Sequence, residues 1–267
     1  MKKTFLSLLF VGIMLNAFCQ KKESRVVSEF TGINASNSFD ITVTKGSVES
    51  LTIEADDDIM PHVRSEVKNG ILRLYLDGKK IGKVKTLKAF IVVKTLDNVS
   101  LSGACKLSSS DIFTPDNFKS DCSGASHLDL TLKTGNMFVN VSGAGRIKLD
   151  AEATGDAMFD MSGASKISGN LEAGKAYFDT AGASKIELTG SASEMYLDTS
   201  GASNLNMENF EVKSIFVKSS GAGKIDLFAT EALRINASGS SSVNYKGSPS
   251  IDMTGSGASR VRKISKE

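Results

Sequence analysis

Three aspartates that recur at equal intervals are the residues of this sequence best placed to do chemistry. Asp160, Asp179 and Asp198 are 19 residues apart, and each directly follows an apolar residue of a repeated phrase. Stacked carboxylates repel one another unless water, a basic side chain or a cation neutralises them. Calcium is bound by oxygen ligands of this kind. The three aspartates are therefore candidates for a metal site, with calcium as the cofactor.

A column of basic residues offers another way to neutralise these carboxylates. Lys166 and Lys185 lie six residues after Asp160 and Asp179. Other copies of the phrase carry a basic residue at the same place, namely Lys106, His127, Arg146, Lys224 and Arg260. Opposite charges on the two sides of one corner could pair without a metal. The nonapeptide of calcium-binding β-rolls is absent, so we expect solvated or paired aspartates and no cofactor, with calcium as the alternative.

Residues that usually perform catalysis are sparse. His62 and His127 are far apart in the sequence, and neither has an obvious partner. A polysaccharide lyase or hydrolase needs an acid/base pair in a groove, and no long loop interrupts the repeated phrases to wall one. The repeated Ser-Gly-Ala-Ser phrase is no phosphate cradle, because a cradle should occur once, ahead of a helix. We expect no catalytic residues and no enzyme.

Two charged stretches nearer the N-terminus each allow two interpretations. The acidic stretch is either a turn with solvated charges or a metal site, and it comprises Glu54, Asp56, Asp57 and Asp58. The basic stretch is either a solvated loop and strand face or a contact for anionic glycans or lipid head groups. It comprises Lys79, Lys80, Lys83, Lys85 and Lys88.

A nine-fold repeat must position the aspartates. A Gly-Ala phrase, with Ser in place of Ala once, recurs at intervals of 18 to 21 residues. Its glycines are Gly103, Gly124, Gly143, Gly163, Gly182, Gly201, Gly221, Gly239 and Gly257. A near-constant period of this length is typical of a solenoid. Because glycine tolerates positive φ and has no Cβ, we predict that these nine glycines form structural corners.

The columns around each glycine predict strands. The position four residues before the glycine is apolar in every copy except at Ser120, as in Phe159, Phe178 and Leu197. The position six residues before it is apolar from the second copy on. Positions four and six after it are also largely apolar, with polar residues between. This alternation indicates strands with one buried face, which stacked copies would bury together. We predict an all-β fold, a parallel β-helix of about nine coils over residues 98–267.

The small residues of the phrase should also serve the corner. We expect the alanine after each glycine to tuck under the corner, because its side chain is small. The serines directly before the glycine and two residues after it can donate hydrogen bonds to their stacked equivalents or to the corner backbone.

Residues 20–97 show the period poorly but still predict β-structure that caps the first coil. Alternation and β-branched residues favour strands over Ser38–Val43, Ser50–Ala55, Ile71–Leu76 and Leu87–Thr95. Asn69-Gly70 predicts a hairpin, since both residues tolerate positive φ, so part of this region should be antiparallel. At the other end Arg260, Arg262, Lys263 and Lys266 should protect the open edge of the last coil by their charge.

Residues 1–19 are predicted to be a secretory signal. Lys2 and Lys3 precede a short apolar core over Thr4–Leu15, and Ala17-Phe18-Cys19 fits a cleavage site. A lipid anchor at Cys19 and a retained helix are the alternatives. Export to the periplasm, the outer-membrane surface or the medium follows. No other stretch is apolar and long enough to span a membrane.

The amino-acid composition limits the classes of molecule that the protein is expected to bind. Without Lys2 and Lys3 the 32 basic residues fall to 30, equal to the 30 acidic ones, which argues against nucleic acid as the main partner. Cys105 and Cys122 could pair or stay free. With no Trp and four Tyr, the chain looks poor in the aromatic platforms that grip sugars or bases.

An ordered set of motifs resembles one family. The set begins with Phe30-Thr31-Gly32-Ile33-Asn34 and Phe39-Asp40-Ile41-Thr42-Val43. It continues with Leu51-Thr52-Ile53-Glu54-Ala55, Gly70-Ile71-Leu72-Arg73-Leu74 and Leu101-Ser102-Gly103-Ala104. The chain resembles the "putative auto-transporter adhesin" head GIN domain family (DUF2807) over nearly its whole mature length. The resemblance implies a right-handed β-helix in exported proteins, particularly of Bacteroidetes, and favours surface binding. It brings no catalytic residues.

The first functional hypothesis is an exported, non-enzymatic β-helix that serves adhesion or binding at the cell envelope, with a surface glycan or a protein as its partner. The alternative is a carbohydrate-binding or polysaccharide-active protein on the same scaffold. A purely structural envelope protein or a sensor accessory is a third hypothesis.

Overall fold

The computed structural model describes residues 20–78 and 83–264, so the predicted signal lies outside the described residues. Within them, the fold is a β-solenoid of about nine turns preceded by irregular strands, as the sequence predicted. The strands are β1 Gln20–Arg25, β2 Gly32–Ala35, β3 Asp40–Lys45, β4 Ser50–Asp56, β5 Val63–Lys68, β6 Ile71–Leu76, β7 Leu87–Val93, β8 Asn98–Leu101, β9 Lys106–Phe113, β10 Asn117–Cys122, β11 His127–Thr134, β12 Asn136–Val141, β13 Arg146–Met161, β14 Lys166–Gly182, β15 Lys185–Gly201, β16 Asn204–Gly221, β17 Lys224–Gly239, β18 Ser242–Lys246, β19 Ser250–Gly257 and β20 Arg260–Lys263. One 3-10 turn spans Met60–His62.

Successive coils pair in parallel and place equivalent residues above one another. Phe159 pairs with Phe178, and Phe178 pairs with Leu197. All three side chains are at most 3% exposed, and the two phenylalanine rings stack with centroids 4.9 Å apart. The predicted common interior is therefore confirmed, and the inward columns form one continuous apolar core through the stack.

The corner glycines are required for two reasons at once. Gly182 has a φ of +89°, and a Cβ there would lie 2.7 Å from the carbonyl oxygen of Gly163 in the coil below. The same carbonyl accepts a 2.8 Å hydrogen bond from the amide of Ala183. Seven other corner glycines, from Gly103 to Gly239, also have positive φ. At these eight positions the backbone has the left-handed conformation that favours glycine.

The corner alanine does not tuck under the corner. Ala183 and its equivalents are exposed, whereas the residue after each of them points inward. Because side chains alternate between the two faces of an extended chain, burying the apolar positions four residues either side of the glycine turns the alanine to solvent. A small residue there keeps the outer edge of the corner flat.

Buried hydroxyl groups line the inside of the corners. Ser165 and Ser184, two residues after their glycines, lie 3.4 Å apart between stacked coils. The Ser219 and Ser241 hydroxyls lie 2.6 Å apart, and Ser241 also donates to the carbonyl of Gly221. Serines therefore bond across coils as predicted, although a partner such as Ser219 stands two residues before the corner glycine of the coil below.

The stack contains one coil that the glycine period does not reveal. In β2 and β3 the chain pairs in parallel with β8 and β9, so Ile33 lies under Val99 and Ile41 under Leu107. Asn37 occupies the corner between them with a φ of 76°. Its carbonyl accepts the amide of Ala104, as the corner glycines do in later coils. Asparagine tolerates this conformation better than most residues, which explains how a corner forms without glycine.

Antiparallel strands close the N-terminal end. Asn69 and Gly70 both have positive φ and connect β5 to β6 in an antiparallel hairpin, as predicted. Strand β7 continues the parallel stack under β3, then β4 pairs antiparallel to β7 and β1 antiparallel to β4. The change from parallel to antiparallel pairing ends the stack with a cap of different geometry.

The C-terminal end stays open among the described residues. Ile251 and Met253 occupy the inward columns of the last coil, yet each is 46% exposed. Equivalent residues one coil below, Leu233 and Ile235, are at most 2% exposed. The residues of β20 include Arg260, Arg262 and Lys263, which give this edge the predicted positive charge, and Lys266 lies outside the described residues.

Candidate functional site

An exposed column of apolar side chains runs along one outer face of the solenoid. Five residues before successive corner glycines stand Phe138, Met158, Tyr177, Tyr196 and Phe216, which we name the ladder. Strand pairing places them directly above one another. They point outward because the flanking positions, four and six before the glycine, point into the core. Phe138 is 37% and Met158 is 40% exposed, so the ladder forms an apolar strip on the surface.

The rings of the ladder stack on one another. Tyr177 and Tyr196 have centroids 5.0 Å apart with planes 8° from parallel. Tyr196 and Phe216 have centroids 4.9 Å apart with planes 3° from parallel. Each such pair contributes about 0.5–1.5 kcal/mol beyond its buried area. Because parallel rings at this spacing cover much of one another's faces, their edges form a large part of the outer strip.

Cations cover both ends of the ladder. The Lys119 ammonium lies 5.9 Å from the centroid of the Phe138 ring, and the Arg234 guanidinium lies 5.4 Å from that of Phe216. Both are cation–π contacts within the usual range. Lys119 and Arg234 therefore mark the two ends of the apolar strip, which extends over five coils.

The predicted aspartate column lies immediately beside the ladder on the same face. Asp160 pairs with Asp179, Asp179 with Asp198, and Asp198 with Lys218 in successive strands. Paired strands are about 4.8 Å apart. The Lys218 ammonium lies 2.6 Å from an Asp198 oxygen and neutralises that end of the column. The side chains of Asp160 and Asp179 are exposed to solvent.

Asp179 is the middle carboxyl group of the column and has an aspartate on each side. Partial desolvation raises the pKa of its carboxyl group, and the neighbouring charges of Asp160 and then Asp198 raise this pKa further. Lys218 lowers it, but more weakly. The middle of the column is thus the place where a hydrogen-bond donor or a cation would gain most.

Corner ion pairs, which the sequence suggested as neutralising contacts, are made with other acids. The ammonium groups of Lys166 and Lys185 both lie 2.5 Å from Glu187 on their own side of the corner. Lys224 lies 2.6 Å from Asp226 on the same side. Because residues on the two sides of a corner point in different directions, strand neighbours are closer partners than residues across it.

The calcium hypothesis remains a prediction. In the part of the chain that the structure describes, no three His, Cys, Asp or Glu side chains converge to hold one metal ion. Asp160, Asp179 and Asp198 form a line rather than a cage, so a cation would have to bridge two neighbours and take its other ligands from water.

The ladder and the aspartates line a groove that follows the stack. It has a volume of about 650 Å³ and extends from Phe138 to Thr254. A second hollow of about 750 Å³ shares Phe138 and Met158 with it and continues the groove toward Thr95 and Asp97. The two hollows therefore meet at Phe138 and Met158 on one outer face.

Some residues of the acidic and basic stretches near the N-terminus contact each other. An Asp56 oxygen accepts hydrogen bonds from the amides of Lys85 and Thr86 at 2.8 and 3.0 Å, and these bonds lower the pKa of Asp56. Glu54 lies 3.7 Å from the Lys88 ammonium. Lys79 and Lys80 of the basic stretch lie outside the described residues.

Histidines and cysteines lie apart from the groove. The His62 ring lies 3.0 Å from the Asp77 carbonyl oxygen. The pKa of His127 is lowered, first by burial and then by the charge of Lys106. Cys105 and Cys122 are buried free thiols. Burial raises the pKa of Cys105 to about 11 and that of Cys122 to about 12.

Sequence reasoning found the aspartates but missed the ladder. It judged aromatic platforms scarce because it counted aromatic residues over the whole chain. Four of them nevertheless occupy one outward column, five residues before successive glycines, in Phe138, Tyr177, Tyr196 and Phe216. Position within the repeat was the signal that could have identified them.

Comparisons with known proteins agree on the fold. The family model described as "putative auto-transporter adhesin, head GIN domain" (DUF2807) matches residues 29–159 and 150–249. A search of the curated proteins finds no match.

Three solved structures are similar over nearly their full length. One is of a "putative adhesin" from Parabacteroides distasonis, with 19% identity and a TM-score of 0.66, covering 93% of this chain and 98% of the other. A "putative lipid binding protein" from the same species has 18% identity and a TM-score of 0.68, with coverage of 92% and 97%. A "putative adhesin" from Parabacteroides merdae has 16% identity and a TM-score of 0.67, with coverage of 92% and 96%.

Proposed function

The chain belongs to the family of "putative auto-transporter adhesin" head GIN domains, and from that premise we propose that it is an exported, non-enzymatic adhesion module. Its binding surface is the groove formed by the ladder and the aspartate column. The partner is a component of a cell surface or envelope, held by the outer face of the coils while the corners maintain the scaffold.

One observation carries this proposal. The chain buries nearly all its large apolar side chains in one core, but it leaves a continuous apolar strip on the groove face, with Phe138 and Met158 37% and 40% exposed. Contiguous exposed apolar surface is typical of binding sites, because it costs solubility without stabilising the core. The acids beside the strip give the surface polar partners for orienting a ligand.

The family description and the names of two structural neighbours support an adhesive role. Both Parabacteroides adhesins carry that description, while the third neighbour is described as a lipid binding protein. Identities below 20% make these comparisons evidence of the shared fold, so the role of this chain rests on its groove.

Export rests on residues 1–19, whose charge and apolar core are typical of a secretory signal. Among the described residues, no helix has the length and apolarity needed to cross a membrane. Protease shaving of intact cells tests the location: a surface protein is digested without lysis, a periplasmic one only after the outer membrane is opened, and a cytoplasmic one in neither case, which would contradict export.

A pair of matched phenylalanines tests the binding surface. Phe138 and Phe90 are each 37% exposed and each contact a lysine, but only Phe138 lies in the groove. Beads coated with the purified protein are allowed to settle on epithelial cells and on bacterial lawns and are then washed. We expect Phe138→Ser to lower bead retention several-fold and Phe90→Ser to leave it unchanged. Absence of wild-type retention on both surfaces, or an equal loss in both variants, would contradict the proposal.

Glycoside hydrolysis is the second candidate function. Asp179 lies between Asp160 and Asp198 on adjacent strands, and its pKa is raised; glycosidases likewise use a pair of nearby carboxyl groups, one of them with a raised pKa. Release of reducing ends from a polysaccharide that Asp179→Asn abolishes would establish this activity and overturn the non-enzymatic proposal.

A further inference from the structure

We propose that the groove binds a neutral, extended polysaccharide whose chain runs along the solenoid axis with about one sugar unit per coil. This inference rests on the proposed function and specifies the chemical class of its ligand. Three properties of the groove carry it: the spacing of its columns, the chemistry of its acids and the shape of its apolar strip.

The spacing of the columns favours a polymer with a short, regular repeat. Tyr177, Tyr196 and Phe216 repeat every 4.9 to 5.0 Å. The aspartates follow the same period, with Asp160 beside Met158, Asp179 beside Tyr177 and Asp198 beside Tyr196. A surface that repeats one chemical group can bind a repeating ligand in the same way at every step. One pyranose unit of an extended chain is close to this length, so each sugar would face one ladder residue, and in three consecutive coils it would also face an aspartate.

An extended peptide along the same axis does not fit this spacing. A strand advances about 3.3 Å per residue, so side chains on one of its faces repeat at about 6.6 Å. Such a peptide would lose register with the ladder within two coils. A peptide could instead pair with a strand edge, but the groove lies on the face of the sheet, where the backbone groups are already paired between coils.

The aspartates favour a ligand that is rich in hydroxyl groups and carries no negative charge. Each carboxylate can accept hydrogen bonds from two hydroxyls, and bonds to an ionised acceptor are stronger than neutral ones. Among the residues that the structure describes, Asp198 is the member of the column that forms an ion pair, with Lys218, and neither Asp160 nor Asp179 has a basic partner within 4.0 Å, so their oxygens can accept hydrogen bonds from a ligand. A uronic acid or sulfated sugar would bring a further negative charge beside Asp179, whose pKa is already raised.

The apolar strip supplies contact for the carbon-bound hydrogens of a sugar chain. Sugars in an extended chain combine hydroxyl rims with apolar faces, and the groove sets acids beside a strip of ring edges and the Met158 side chain in the same way. Lys119 and Arg234 close the strip at its ends. The contact length is therefore five coils, which predicts how affinity should depend on chain length.

Calorimetric titration with neutral β-linked oligosaccharides of increasing length tests the inference. Manno-, cello- and chito-oligosaccharides serve as probes, with alginate oligosaccharides as the anionic counterpart. For at least one neutral series we expect affinity to rise with each added sugar and to level off at about five units, one for each coil of the ladder. Alginate should bind more weakly than every neutral series of the same length that binds.

Two aspartate variants provide the matched comparison. Asp179→Asn should weaken binding of the longest neutral oligosaccharide about 10-fold, since a hydrogen bond to a charged acceptor is replaced by a neutral one. Asp129→Asn, which removes a carboxylate beside Lys148 on another strand, should leave affinity unchanged. Thermal unfolding of both variants checks that they fold.

The possible contrary results distinguish failure of the polysaccharide inference from failure of the proposed function. If no neutral oligosaccharide binds but bead retention still depends on Phe138, the polysaccharide inference fails and the proposed binding surface stands. Tighter binding of alginate, affinity independent of chain length, or equal affinity in Asp179→Asn and the wild type would also overturn the inference. If bead retention does not depend on Phe138 either, the proposed function fails with it.

Discussion

Gly182 shows at the scale of one residue why the repeated phrase varies so little. Its backbone has a φ of +89°, and its α-carbon faces the carbonyl oxygen of the glycine below. An L-residue would meet two penalties there, an unfavourable conformation and a steric overlap. The same two penalties apply at the other stacked corners, so the phrase recurs because the coil spacing demands it.

A comparison of two glycines separates these penalties. Gly70, in the β5–β6 turn, has a φ of +72°, but a Cβ there would meet no atom within 4 Å. Gly70→Ala should cost about 1 kcal/mol of unfolding free energy, for backbone strain alone. Gly182→Ala should cost about 3 kcal/mol, because the overlap with the Gly163 carbonyl adds to the strain. Urea unfolding of both variants measures the difference, and equal losses would show that coil contact does not constrain the corner.

The carboxyl group of Asp179 makes the stability of the folded protein depend on pH. Its folded-state pKa lies above the ordinary value of 3.8, so the native state binds this proton more tightly than the unfolded chain does. The contribution of Asp179 to stability therefore rises as pH falls through the raised folded pKa and is lost as pH rises through it.

Substitution of Asp179 should therefore stabilise the protein at neutral pH. We expect Asp179→Asn to raise the melting temperature at pH 7, where it removes the repulsion from Asp160 and Asp198, and to raise it less at pH 3.5. Asp129→Asn, which loses the Lys148 pair, should show no rise at pH 7. Calorimetric melting at the two pH values measures this, and a lower melting temperature of Asp179→Asn at pH 7 would contradict the assigned repulsion.

At the scale of strands and coils, the inward columns were predictable and parts of the outer surface were not. Alternation at positions four and six from each glycine predicted the buried face, because burial allows only apolar side chains there. Asn69-Gly70 likewise predicted the β5–β6 hairpin. Outward positions accept almost any residue, so the ladder could be recognised only by aligning Phe138, Tyr177, Tyr196 and Phe216 by their place in the repeat.

The coil around Asn37 was missed for a related reason. Its apolar columns, with Ile33 four residues before the corner and Ile41 four after it, follow the rule of the later coils. The corner residue is not glycine, and strands β4–β7 separate this coil from the next in sequence. A search for glycine spacing could not detect a repeat that lacks the glycine and is followed by an insertion.

At the scale of the whole molecule, the two ends of the solenoid differ and the long face between them carries the groove. Antiparallel strands close the N-terminal end, whereas Ile251 and Met253 stay exposed at the other. Basic residues mark both outermost strands, with Lys21, Lys22 and Arg25 in β1 and Arg260, Arg262 and Lys263 in β20. Like charges at both ends oppose head-to-tail stacking of copies, which leaves the side of each molecule available to a partner.

Bead retention by two double variants tests most directly whether this outer face, and not the repeated corner, makes the contact. Tyr177→Ser with Tyr196→Ser removes the centre of the ladder, while Ala183→Gln with Ala202→Gln enlarges exposed side chains of two corners in the same coils. We expect the ladder variant to lose most of its retention on the surface that holds the wild type, and the corner variant to keep it. Retention lost by the corner variant and kept by the ladder variant, with both proteins folded, would contradict this assignment.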